Sequence, residues 1–118
     1  MRKIYLICPV RKCSKEIIKQ LDNYVNKLES DGCKVHYPPR DVDQDQDGID
    51  ICLAHANAMK DSNEVHFWWD SESKGSHFDF GMAYMLHMIR GMKFVRVNNY
   101  DKTQYKSYGN VLKKLSEK

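Results

Sequence analysis

The stretch 64–90, EVHFWWDSESKGSHFDFGMAYMLHMIR, decides the fold. Glu64 to Trp68 is a short apolar, β-branched and aromatic run, which reads as a buried strand. A polar Ser/Gly segment, Trp69 to Ser76, follows it. From Ser76 to Arg90 the apolar residues Phe78, Met82, Met85, Leu86 and Ile89 recur at helical spacing, and Gly91 supplies the stop. Strand, loop and helix in direct succession make one βα unit.

The same unit recurs on both sides. Further strands are predicted at Lys3–Cys8, Lys34–Tyr37 and Lys93–Val97. From Ser14 to Ser30, Ile17, Leu21, Tyr24, Val25 and Leu28 share a helical face, with Ser14 as N-cap and Gly32 as the stop. Gly48 to Ser62 is a weaker helix built on Ile51, Cys52, Ala54, Ala58 and Met59. A last helix runs from Thr103 onward through Tyr105, Tyr108, Val111, Leu112 and Leu115. The order βαβαβαβα predicts an α/β fold: a doubly wound three-layer sandwich on a parallel sheet of four strands, or five.

The 118 residues fit one domain, 1–118, and 42% apolar with 30% charged residues is ordinary globular composition. No apolar run is long enough to span a bilayer, so no membrane partner is expected. The N-terminal MRKIYLICPV reads as a first strand, not a leader. A net charge of +3, from 19 basic and 16 acidic side chains, is too mild to argue for a nucleic-acid polymer. Cys8, Cys13, Cys33 and Cys52 match neither a redox pair nor a zinc ribbon, and Cys8 and Cys52 read as small packed hydrophobes. Reduced thiols fit a cytoplasmic protein. The histidines show no metal-ligand spacing, so no metal site is expected. Asp43 to Gly48 matches the first half of a calcium loop and then fails at Ala54, leaving a solvated acidic turn with Asp47 as N-cap.

Ligands in doubly wound sheets bind beyond the carboxyl ends of the strands. The loops there begin at Cys8–Lys12, Pro38–Gly48, Trp69–Ser76 and Asn98–Asp101. They offer Pro9, Arg11, Arg40, Trp69, Ser73, Gly75, Ser76 and Asn98 as substrate-binding candidates. Arg11 and Arg40 suit anions, or are surface arginines. A tryptophan here stacks on a base, or closes the core. Ser76-His77-Phe78-Asp79 fits a capping box. It equally fits an ionised Asp79 in the first turn of a helix, as a nucleophile requires.

Three segments together resemble the nucleoside 2-deoxyribosyltransferase-like family: KIYLICPVR from Lys3, GIDICLAHANAMKDSNEVHFWW from Gly48, and SKGSHFDFGMA from Ser73 to Ala83. The resemblance covers roughly Lys3 to Val97. It implies a flavodoxin-like sandwich, usually a homodimer, that cleaves N-glycosidic bonds of nucleotides or nucleosides without a cofactor. The family nucleophile is a glutamate, and Asp79 stands in its place. Serine six residues earlier, Ser73 here, marks the 2'-deoxynucleoside 5'-phosphate N-hydrolase branch and implies a phosphate contact, which Arg11, Gly75 and Ser76 would share. The family's helix aspartate, which helps to protonate the base, falls at His55, with Asp50 the other candidate. Tyr5, in the first segment, joins the substrate-binding candidates. Two alternatives stand beside hydrolysis: a nucleotide-binding module without catalysis, and deoxyribosyl transfer between bases.

Overall fold

In the computed structural model all residues are described except Lys12, Tyr105 and Lys118. The expectations for Lys12 in the first loop and for Tyr105 in the last helix therefore lie outside the described residues.

The predicted runs form strands β1 (Lys3–Ile7), β2 (Lys34–His36), β3 (Glu64–Phe67) and β4 (Lys93–Arg96), each one residue shorter than the run. All pairings are parallel, and the order is β2-β1-β3-β4. Alternation along β1 divides the core in two. Ile4 and Leu6 pack with Leu21 and Val25 of helix α1 (Lys15–Ser30). Tyr5 and Ile7 face the other way. They share a cluster with Met59 of α3 (Gly48–Lys60), Phe80 and Ala83 of α4 (Lys74–Arg90), and Leu112 of α5 (Tyr108–Ser116). The result is a three-layer α/β fold. The chain leaves β1 for β2 on one side and then crosses back to β3 on the other, so the switch point lies between β1 and β3.

Several boundaries differ from expectation, for local reasons. A short helix, α2 (Pro38–Asp41), occupies the start of the second loop, with proline at its first turn, where a missing N–H costs nothing. The Tyr37 N–H donates to Asp41 Oδ2 at 2.8 Å and fixes that turn. Helix α4 starts at Lys74, two residues before the expected cap, because Ser73 Oγ accepts from the Ser76 N–H at 3.2 Å. Helix α5 starts at Tyr108 and not near Thr103, capped by Ser107 Oγ, which accepts from the Asn110 N–H at 3.2 Å. Asp47 is the N-cap of α3 by backbone position but makes no side-chain cap bond. Cys52 lies on the exposed side of α3 instead of packing. Gly91 ends α4 at φ 70°, as its stop signal predicts.

Candidate active site

Asp79 lies on the inner face of α4 and is 4% exposed. An ionised carboxylate that far from water needs donors. Tyr5, on the central strand β1, donates its hydroxyl to Asp79 Oδ2 at 2.8 Å. His55, on the inner face of α3, places Nδ1 3.1 and 3.2 Å from the two carboxylate oxygens. Residues 24 and 74 positions apart in sequence thus meet at one carboxylate. The capping-box reading of Ser76 and Asp79 is corrected: Ser73 caps the helix, and Asp79 points into the core. Asp79 also sits beyond the first turn of α4, which holds no acidic residue. The helix dipole acts mainly over that first turn, and the polar partners of Asp79 are instead Tyr5 and His55.

Burial, then the neighbouring Asp79 charge and hydrogen bond, push the Tyr5 phenol far above its usual range, so it remains a donor. A carboxylate only accepts, so the His55 tautomer that completes this hydrogen bond carries a proton on Nδ1. Nε2 of His55 is then the free atom. It is buried without a partner, as are Nε2 of His36 and Oγ of Ser76. Buried polar atoms are seldom left unpaired, and the His36 and His55 rings, with centroids 6.5 Å apart, carry two of them close to this carboxylate. Burial pushes the Cys8 thiol well up, which leaves it inert.

A second group of expected residues gathers elsewhere. Pro9, Trp69 and Asn98 line a cleft of about 490 Å³ at the carboxyl ends of β1, β3 and β4, with His77, Tyr100 and Tyr108. Asp79 and His55 are not among its lining residues. The start of α4 stands between: Asp79 faces β1 and α3, whereas the His77 and Phe80 rings lie against Trp69 at 4.8 and 5.5 Å. Trp69 itself is buried. Asn98 is committed to the Trp69 backbone, accepting from its N–H at 2.7 Å and donating to its carbonyl at 2.9 Å.

The remaining candidates are scattered. Gly75 and Ser73 lie at the N-terminal end of α4, and Ser76 is buried one turn before Asp79. Arg11 is exposed in the loop after β1, and Asp50 is exposed in the first turn of α3. Arg40 is taken up by Glu29, at 3.0 Å to each oxygen, and by Asp41 at 2.8 Å. The sequence reading assigned Tyr5 to substrate and did not single out His36. Their proximity to Asp79 depends on strand register, which no local spacing reveals. Among the described residues no group of three or more His, Cys, Asp or Glu side chains is placed to hold a metal. No helix among them is long and apolar enough to cross a membrane.

Sheet order and layering define the chain as an α/β three-layer protein. Among solved structures, a conserved protein from Enterococcus faecalis V583 matches 96% of this chain and 72% of its own, with a TM-score of 0.66 and 20% identity. The Clostridium botulinum CMP N-glycosidase BcmB matches 97% of this chain and 98% of its own, with a TM-score of 0.57 and 15% identity. Likeness at such identity shows a shared fold. No family model matches the sequence, and no curated protein matches it.

Proposed function

We propose that this protein cleaves the N-glycosidic bond of a nucleoside 5'-monophosphate, with Asp79 as nucleophile. The observation that carries this is the buried Tyr5–Asp79–His55 constellation. A carboxylate oxygen of Asp79 attacks C1' as the C1'–N bond breaks, and the departing base takes the proton carried on Nε2 of the His55 imidazolium, whose Nδ1–H stays on Asp79. Water then attacks C1' of the glycosyl ester, gives its proton to Nε2 of His55 and releases Asp79, as in retaining glycoside hydrolysis. Tyr5 orients the carboxylate and is not a substrate contact. The free N–H groups at the start of α4, including that of Gly75, together with the Ser73 hydroxyl and Arg11, suit a phosphate. Asp50 is the second candidate for proton delivery. Arg40 has no part, because its guanidinium is already paired. The resemblance to the deoxyribosyltransferase-like family and the fold shared with a CMP N-glycosidase support the same chemistry.

A second copy of this chain is the proposed partner. Ile49 and Leu53 on α3, with Met85, Met88 and Ile89 on the adjacent α4, present an exposed apolar face. Large apolar side chains left exposed on two neighbouring helices suit an interaction surface.

One observation favours a second reading, nucleotide binding without chemistry: the Trp69-lined cleft is separate from Asp79. A chromatographic screen for free base decides between them. Ribo- and deoxyribonucleosides and their 5'-monophosphates are incubated with the protein and with Asp79→Asn. Release that requires both phosphate and Asp79 supports hydrolysis. Saturable binding by both proteins with no product supports the binding module.

A further inference from the structure

Tyr5 and His36 stand opposite each other across the β1–β2 pairing. Their rings stack, with centroids 5.1 Å apart and planes at 25°. The same His36 ring meets His55 edge-on at 6.5 Å and 75°. His36 therefore touches both side chains that hold Asp79, yet is not itself hydrogen-bonded to the carboxylate. Its Nε2 is buried without a partner, so the ring is held there by its face and not by that nitrogen. Burial lowers the pKa of His36 and keeps it neutral; His55 of α3 and Arg40 of α2 act in the same direction, against Asp41 and Asp79. A neutral flat ring beside a phenol is a stacking partner and not a competing charge.

We infer that His36 is a positioning residue for the Asp79 centre: its flat ring fixes the Tyr5 ring, and through it the hydroxyl aimed at Asp79. The inference rests on Asp79 being the reacting carboxylate. The phenol oxygen lies at the far end of its side chain, so a small tilt about χ1 moves it by about 1 Å. Displacement of that size costs about a hundredfold in rate.

Three variants test it: His36→Phe, which keeps a flat ring, His36→Leu, which fills space without one, and Tyr5→Phe. Tyr5 is fully buried, so its hydroxyl proton exchanges slowly enough to give a proton NMR resonance, assigned by its loss in Tyr5→Phe. The expected result is that His36→Phe keeps the resonance and a kcat within about threefold of wild type. His36→Leu loses the resonance, and its kcat falls about a hundredfold with KM within about twofold. His36→Met replaces His36→Leu if the latter lacks a native amide spectrum. A leucine or methionine variant that retains both resonance and rate overturns the inference. Base release undiminished in Asp79→Asn would defeat the nucleophile assignment instead, and the Tyr5 resonance would still decide the role of His36.

Discussion

Asp79 has two side-chain hydrogen-bond partners, Tyr5 and His55, and each has a measurable role. Aspartate is one methylene shorter than the glutamate usual in the resembling family, so in the proposed reaction Tyr5 and His55 would have to bring its oxygen to C1'. Tyr5→Phe removes one donor and nothing else. It should lower kcat about ten- to a hundredfold and lower stability by about 1–2 kcal/mol, the cost of leaving a buried acceptor short of a partner. Base-release kinetics and urea denaturation measure the two effects. An unchanged kcat would remove Tyr5 from the site. None of this geometry was legible in sequence. Asp79 stood out by its place near the helix start and in the Ser73–Ala83 segment, and His55 by resemblance. That the Tyr5 hydroxyl reaches the Asp79 carboxylate follows only from how β1 lies under α3 and α4.

At the scale of elements, the two serines before Asp79 separate cap from site. Ser73 Oγ caps α4, whereas Ser76 Oγ is buried and unpaired. Ser73→Ala should cost about 1 kcal/mol, and Ser76→Ala close to none, as read by denaturation midpoints. A capping box on Ser76 would give the reverse order. The strands and four longer helices followed from periodicity because each buries a single stripe or run. The boundary of α4 did not, since both serines satisfy the same capping pattern. Helix α2 was hidden by Pro38-Pro39, which reads as loop until its backbone is seen to turn. At the other end of β3, Arg2 donates to both Glu64 oxygens at 2.8 and 2.9 Å. Arg2 holds that carboxyl down at about 2, against burial and helped by His66. The folded value lies below the ordinary 4.5, so the stabilisation is complete above that pH and is lost as pH falls from about 4.5 towards 2. Glu64→Gln should flatten the pH dependence of stability across that window. A slope unchanged from wild type would assign acid lability to other groups.

For the whole molecule, α3 and α4 leave large apolar side chains in water. Ile49, Met88 and Ile89 are 79%, 64% and 71% exposed. Burial of such side chains is worth about 1.5–3 kcal/mol each, set against the costs of association. Light scattering during gel filtration should return twice the chain mass of 13.9 kDa. Met88→Lys with Ile89→Lys should return the chain mass. A monomeric wild type at micromolar concentration would contradict the dimer. Sequence patterning placed these residues on helices but not on an outer face, because the stripe that packs inward and the one left outside are both apolar.

The assignment of Asp79 as nucleophile can be tested on the covalent bond itself. The protein is incubated with 2'-deoxy-2'-fluoro nucleoside 5'-monophosphates, whose glycosyl esters break down slowly, and intact mass is followed. The expected result is a gain equal to one fluorosugar phosphate, mapped by peptide sequencing to Asp79 and absent from Asp79→Asn. Base released at the wild-type rate by Asp79→Asn, or an adduct on another residue, would contradict it.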